Sequence, residues 1–185
     1  MVDFCLNNSE QYVGIGWSRL SEGIKSNDFQ EYYNRIKQES GKANPAINIF
    51  QNAKVDDLFW TRDLNGIYWI CRVKSRAEVI CDKLMDIGSL IPVEAYNFGM
   101  QVPGQIKASF NRVNGGTAGY IRDKIIIEYS KLIFNLLEKA TLFYTKFIKC
   151  FLLSTDSLSD WGLVVKTAVN AMMIPPVNVV LCFKG

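Results

Sequence analysis

The chain of 185 residues contains no histidine, and this absence removes several kinds of chemistry. Imidazole is the base in Ser–His and Cys–His nucleophile pairs and a common metal ligand, so none of these arrangements is available within the chain. The five cysteines lie far apart, are odd in number and form no Cys-x-x-Cys pair. This pattern argues against a disulfide framework and a thiolate zinc site. It predicts a cytoplasmic protein without a metal or other cofactor.

A strong excess of one charge is also missing, since the formal net charge is only +3. Proteins that depend on non-specific phosphate contacts are usually more basic. The charges are nevertheless uneven: residues 1–64 carry 7 Lys/Arg and 9 Asp/Glu, whereas residues 65–125 carry 8 and 5. The positive excess in the second region is a weak indication of an anionic partner there.

Long uninterrupted apolar runs are absent as well. The stretch closest to one, residues 125–153, is broken by six charged residues. Its apolar residues recur with the i, i+3, i+4, i+7 spacing of an amphipathic helix rather than a membrane span. We expect this helix to pack on protein, with no membrane partner. It is also the candidate surface for a homo-oligomer.

Acidic residues offer no convincing catalytic set. Asp56 and Asp57 are adjacent on an expected strand, so their side chains would point to opposite faces and could not line one site together. The glycines of NGGTAG are not followed by the Gly-Lys-Ser/Thr of a phosphate loop. We therefore predict a binding protein rather than an enzyme.

The richest segment is VDDLFWTRDLNGIYWICRVKSR, residues 55–76. Asn65-Gly66 between two strand-like runs is a strong hairpin signal. Strand alternation places Phe59 and Trp60 on opposite faces, and it does the same for Tyr68 and Trp69. One barrel interior can hold about half of these rings, so the others must contact a helix, a partner or a ligand.

Helix and strand patterns alternate along the rest of the chain. Asn27 is the predicted N-cap of a first helix that ends at Gly41, and Asn44 with Pro45 begins a second helix. Short strands, one of them over residues 77–83, continue to about residue 127. After the 125–153 helix, another helix begins after Ser157 or Ser159, and PPVNVVLCFKG forms a final strand. The mixture predicts an α+β protein.

Three blocks in this order, GIGWSRL, DDLFWTRDLNGIYWICRV and PGQIKASFNRVNGGTAGYI, resemble the PUA-like superfamily, particularly its EVE/YTH-type readers of modified bases. The resemblance covers residues 11 to about 125, and Asp56 stands where the family pattern has a glycine. It implies a small mixed or antiparallel β-barrel with flanking helices over residues 1–127. Residues 128–185 then form a helical extension that ends in a short strand, which could begin an effector domain.

The resemblance also implies a pocket that takes a flipped-out base between aromatic walls. It assigns Trp17 and Trp60 to the pocket, Ser18 to a base edge, and Arg62 to an Arg-Asp pair whose Asp63 could cap the hairpin turn. Its SF-x-R block matches Ser109, Phe110 and Arg112. From the residues themselves we add an aromatic and three basic side chains interleaved with these: Tyr68, Arg72, Lys74 and Lys107.

The leading hypothesis is a non-catalytic sensor of modified nucleic acid, DNA rather than RNA, in a restriction or phage-defence system. In this reading the aromatic rings hold the base, the basic side chains contact phosphates, and a nuclease or NTPase is the effector partner. Two alternatives stay open. One is a Tudor- or PWWP-like module that binds a methylated side chain, and the other is a structural subunit that oligomerises through the 125–153 helix.

Overall fold

The Asn-Gly hairpin lies in a curled antiparallel sheet that forms a half-barrel and carries several helices. The structure is a computed structural model and describes residues 5–7, 9–40, 44–110 and 118–152. The strands are β1 (Gln11–Ile15), β2 (Leu58–Arg62), β3 (Tyr68–Val73), β4 (Glu78–Asp82) and β5 (Ile87–Gly99). The helices are α1 (Ser18–Ser21), α2 (Phe29–Ser40), α3 (Pro45–Asn52), α4 (Gly104–Phe110) and α5 (Lys124–Leu152). The α+β prediction is confirmed.

Strand β5 organises the sheet because it pairs with three other strands. Val93 is opposite Gln11 of β1 and Val73 of β3, whereas Ser89 is opposite Ile15 of β1 and Val79 of β4. Strand β1 therefore pairs with one edge of β5. On the other edge, β4 pairs with the first part of β5 and β3 pairs with the second part. Strand β2 completes the sheet beyond β3.

The hairpin forms at the predicted turn. Trp60 is opposite Ile70, and Gly66 has a φ of 83°, a conformation that glycine adopts without steric cost. The Asp63 carboxylate accepts a hydrogen bond from the Ile67 N–H at 2.8 Å. Asp63 thus caps the turn, as predicted, and this role is structural.

Both faces of the hairpin are buried, which confirms the strand alternation. Phe59 and Trp69 belong to a cluster that α3 covers with Ile49 and Phe50. Trp60 belongs to a second cluster on the other face, which α5 covers. That cluster also contains Tyr68, Ile70, Ile106, Phe110, Ile126, Ile133 and Phe134. The aromatic surface is large because one sheet needs a core on each side.

The local predictions at the helix starts are partly correct. Asn44 caps α3, since its side chain accepts a hydrogen bond from Ala46 N–H at 2.9 Å, and Pro45 is the first helical residue. At α2 the prediction of Asn27 is wrong: the Asp28 carboxylate accepts from Glu31 N–H at 3.1 Å. A carboxylate next to an amide is an equally good cap, and the sequence did not distinguish them.

Two strand predictions also change. Residues 104–110 form helix α4 instead of a strand, because Pro103 begins a turn whose carbonyl accepts from Ile106 and Lys107. Asp56 precedes β2 in a turn rather than lying on a strand. Strand β4 and the long helix α5 are confirmed. The predicted final helix and strand, and Gly41, lie outside the described residues.

Helix α5 begins before the predicted domain boundary at residue 127 and continues beyond it. Ile133 and Phe134, beyond that boundary, are 4% and 1% exposed in the same core as Trp60. The first half of α5 is therefore part of the folded unit that contains the sheet. Among the described residues, none of the helices combines the length and apolarity that crossing a bilayer requires.

Candidate functional site

The structure places Trp60 in the core. Its side chain is 0% exposed, and its indole N–H donates to the Ser130 hydroxyl of α5 at 3.2 Å. The Phe98 ring meets it edge to face at 5.3 Å between centroids. A ligand could reach Trp60 only if α5 moved away from the sheet.

Tyr68 and Arg62 lie together at the turn end of the hairpin. Tyr68 is 2% exposed and contacts Phe110 of α4 edge to face. The Arg62 guanidinium lies over both rings, 5.7 Å from the Tyr68 centroid and 5.5 Å from that of Phe110. This group of three is a cation–π contact that attaches α4 to the sheet.

Arg72 already has two carboxylate partners. One of its terminal nitrogens is 2.6 Å from Glu94 of β5 and 2.7 Å from Glu138 of α5. Its guanidinium also lies 4.5 Å from the centroid of the Phe134 ring. Arg72 therefore connects α5 to the sheet. Binding a phosphate would require it to leave this partly buried network.

The remaining predicted contacts do not gather at one place. Lys74 and Lys107 are exposed, on the segment after β3 and on α4 respectively. The Ser109 hydroxyl donates to the Gln105 carbonyl of its own helix at 3.0 Å. Arg112 lies outside the described residues. Among the described residues, these side chains and the buried aromatic rings therefore do not line one surface together with Trp17.

Trp17 occupies a different environment. It is partly buried, follows β1 and has φ 66° and ψ 41°, the left-handed conformation. A bulky residue rarely adopts this conformation, because Cβ approaches the following carbonyl at a cost of about 1–2 kcal/mol. Trp17 packs against a third cluster, formed by Tyr32, Ile36, Ile47 and Val79, which shares no residue with the cluster of Trp60.

A tight backbone crossing maintains this conformation. The Tyr32 hydroxyl donates to the Gly16 carbonyl at 2.5 Å. Gly88 passes so close that a Cβ there would lie 2.3 Å from the Tyr32 oxygen and 2.8 Å from the Gly16 carbonyl. Only glycine fits at position 88. Strain held by its surroundings is a frequent property of functional sites.

Ser18 is buried, and both of its donors point to one carboxylate. Its backbone N–H and its hydroxyl donate to the same Asp86 oxygen at 3.0 and 2.9 Å. The Cys81 thiol donates to the Ser18 carbonyl at 3.3 Å. The Ser18 hydroxyl proton is thus committed to Asp86, and Ser18 orients that carboxylate.

Asp86 is exposed and ionised. Hydrogen bonds from the Ser18 backbone and then from its hydroxyl lower the pKa of Asp86, although the small desolvation opposes them. Like Trp17 it has a positive φ, of 52°. We call Trp17, Ser18 and Asp86 the Trp17 site. Asp86 was not among the predicted residues, because nothing around MDIG in the sequence distinguishes it from a turn aspartate.

Basic side chains border this site. Arg19 follows Ser18 and pairs with Glu39, and Lys83 pairs with Glu22 at 2.7 Å. The side chains of Arg19 and Lys83 are 64% and 63% exposed. Exposed pairs of this kind are weak, so an incoming anion can exchange with the carboxylate. Among the described residues, no group of three Cys, Asp or Glu side chains is arranged to hold a metal ion.

Comparison with known proteins returned no match to a protein-family model, to a curated protein or to a solved structure. The PUA-like resemblance therefore stays a prediction carried by the three sequence blocks.

Proposed function

We propose that this protein is a non-catalytic reader of modified bases in nucleic acid, DNA in particular, built on a PUA-like half-barrel. In this proposal the base stacks on Trp17 and Asp86 accepts a hydrogen bond from its exocyclic amino group. Trp60 and Tyr68 were also predicted to line the pocket, but both side chains are buried in the core. The proposal rests on one observation: the exposed Asp86 carboxylate is oriented by the backbone N–H and hydroxyl of Ser18, which directly follows the strained, partly exposed Trp17.

The chemistry of the Trp17 site suits such a ligand. Stacking on an aromatic ring contributes about 1–3 kcal/mol per base, which helps to offset the cost of extruding the base from the duplex. A carboxylate accepts from the amino group of cytosine, and the amino nitrogen of adenine offers a similar donor. The pKa of Asp86 is lowered, so the acceptor is present at neutral pH.

Phosphate contacts would come from Arg19 and Lys83 beside the site, rather than from Arg72. Arg72 is the less suitable because two carboxylates already hold it. The cationic side chains at the Trp17 site are few, so we expect moderate affinity with a shallow salt dependence. Strong discrimination would then depend on the modified base, and a nuclease or NTPase subunit would supply any effector activity.

The test compares Trp17→Ala and Trp17→Phe with the unchanged chain. Binding is followed by fluorescence anisotropy on single-stranded and duplex oligonucleotides that carry methylated or plain cytosine or adenine, at two salt concentrations. Trp17→Ala should weaken binding to the modified oligonucleotide roughly 5- to 150-fold, and Trp17→Phe should retain most of it.

Tyr120→Ala provides the control, since it removes an aromatic ring that is 64% exposed outside the Trp17 site. It should leave binding unchanged. Circular dichroism and thermal unfolding show whether the Trp17 variants keep the fold. Equal binding to modified and plain oligonucleotides by the unchanged chain would refute the proposal.

A methylated ammonium group is the second candidate ligand, and Asp86 is the observation that favours it. A cation binds over an aromatic face and is further stabilised by a neighbouring carboxylate. Asp86→Asn separates the two ligands because it removes the charge and keeps an acceptor oxygen. It should weaken binding of a trimethyl-lysine peptide strongly and binding of a base by less than about tenfold.

A further inference from the structure

Helix α5 carries a second apolar surface besides the one buried on the sheet. Its buried face contains Ile126, Ile133 and Phe134. The second surface consists of Ile125, Leu132, Leu136 and Phe143, whose exposed fractions lie between 47% and 79%. At 3.6 residues per turn these four side chains fall within about 20° of one line along the helix. We call them the α5 stripe.

A row of exposed apolar side chains along one helix face is costly to leave in water. Ile125 and Phe143 are separated by about 27 Å along the axis at 1.5 Å per residue. The stripe lies about a third of a turn from the buried face, so the sheet cannot cover it. Several apolar side chains on one exposed face indicate a site of association, whereas single exposed leucines do not.

The order of residues in the α5 stripe is symmetric about position 134. Ile125 and Phe143 stand nine residues to either side, and Leu132 and Leu136 stand two. If a second α5 packs antiparallel with its two-fold axis at this position, Ile125 lies opposite Phe143 and Leu132 lies opposite Leu136. A two-fold interface requires this self-complementarity.

The residues at the edges of the stripe are complementary too. Along one edge Glu128 stands six residues before the centre and Lys139 five after it, and both are exposed. The antiparallel arrangement puts Glu128 of each copy within one residue of Lys139 of the other. Along the other edge Tyr129 meets Ala140, a large residue against a small one.

The pair that Glu128 makes in one copy does not prevent this contact. It lies 2.8 Å from Lys131 on the same helix, with side chains 72% and 58% exposed. An exposed i,i+3 pair contributes little to stability. Glu128 can therefore exchange Lys131 for Lys139 of a second copy.

We propose that the partner of the α5 stripe is a second copy of this chain. The two copies pack as an antiparallel dimer whose two-fold axis crosses α5 at the level of residue 134. Charge complementarity at Glu128 and Lys139, together with the symmetric order of the stripe, favours this partner over an unrelated protein. The interface is one helix wide, so the dimer should be reversible and depend on concentration.

The first test uses sedimentation velocity on the full chain from low to high micromolar concentration. The unchanged chain should convert from monomer to dimer. Leu136→Asp should weaken the dimer roughly 100-fold or more, since it buries two charges. Leu142→Asp is the matched control: this leucine is 55% exposed on the same helix but outside the stripe, and its variant should still dimerise.

The second test is a charge exchange. Glu128→Lys and Lys139→Glu should each raise the dimer dissociation constant about 3- to 10-fold, and the double variant should restore it. This rescue depends on the antiparallel register, because a parallel dimer would bring Glu128 close to its own copy.

A full chain that stays monomeric at every concentration would overturn the proposal. If it were monomeric and Leu136→Asp also lowered its melting temperature, the stripe would be covered by another part of the same chain, and the second copy would again be wrong. This register would be excluded if the single charge variants did not weaken the dimer. It would also be excluded if the double variant did not restore it.

Discussion

At the scale of single residues, three non-glycine residues in the described part of the chain have positive φ. They are Trp17, Asp56 and Asp86. Two of them, Trp17 and Asp86, belong to the Trp17 site. The third, Asp56, stands where the PUA-like pattern has a glycine, and its φ of 71° is a conformation that glycine favours. The departure from the pattern thus keeps the turn, because aspartate tolerates the left-handed region better than most residues.

Replacing Asp56 with glycine should therefore be tolerated. We expect Asp56→Gly to leave the free energy of unfolding unchanged or raise it by up to about 1 kcal/mol, because the steric cost of the left-handed conformation disappears. Urea unfolding followed by tryptophan fluorescence measures the change.

Asp57→Gly is the control for this prediction. The Asp57 carboxylate accepts from the Lys54 N–H at 2.8 Å, and Asp57 has no positive φ. The same substitution one residue later should lower the free energy of unfolding by about 1–2 kcal/mol. Equal destabilisation by both variants would contradict the explanation from backbone conformation.

At the scale of elements, the attachment of α5 to the sheet combines apolar packing with one polar network. Arg72 of β3 contacts Glu94 and Glu138, and the Tyr96 hydroxyl donates to Glu94 at 2.6 Å. Burial works to raise the pKa of Glu94, but the hydrogen bonds from Tyr96 and Arg72 outweigh it and the pKa is lowered. The ionised carboxylate therefore stabilises the fold.

The sign of the pH dependence follows from this lowered pKa. Glu94 contributes its full stabilisation above the unfolded-state pKa near 4.5 and loses it as pH falls through the folded-state value. Glu94→Gln should lower the free energy of unfolding by about 1–3 kcal/mol at pH 7. Its deficit relative to the unchanged chain should shrink as the pH falls below about 4.5.

Denaturant unfolding at several pH values measures this deficit. Glu39→Gln serves as the control, because Glu39 pairs with Arg19 at an exposed position and should change stability by less than about 0.5 kcal/mol. A deficit for Glu94→Gln that stayed constant from pH 7 to pH 3 would show that charge is not its cause.

At the scale of the whole molecule, the sheet, its flanking helices and the first half of α5 form one unit. The Trp60 indole N–H donates to the Ser130 hydroxyl, and Phe134 belongs to the same buried cluster as Trp60. Both contacts cross the domain boundary that was predicted at residue 127. Loss of packing on α5 should therefore weaken the sheet as well. A separate helical extension would unfold without affecting it.

We test this with two substitutions on one helix. Ile133 is 4% exposed and Leu142 is 55% exposed. Ile133→Ala should lower the free energy of unfolding by about 2–5 kcal/mol in a single transition, and Leu142→Ala should have little effect. Tryptophan fluorescence follows the sheet and far-ultraviolet circular dichroism follows the helices. Two separate transitions in Ile133→Ala would mean that α5 is an independent unit.

The sequence by itself determined several local features of this protein. The Asn65-Gly66 turn, the Asn44 cap and the helical spacing after residue 124 depend on neighbours in the chain, and all three are confirmed. The missing histidines exclude imidazole chemistry in any fold. Strand alternation also required the rings of the hairpin to face two ways.

Only the tertiary structure decided what lies on each of those faces. Trp60 meets Ser130, 70 positions away, and Ser18 meets Asp86, 68 positions away. No local pattern encodes such pairs, because they depend on how β5 pairs with three strands and where α5 packs. Both hairpin tryptophans, Trp60 and Trp69, are thus part of the core. Trp17, which follows β1, is the candidate ligand contact, because packing leaves it partly exposed and an oriented carboxylate binds the next residue, Ser18.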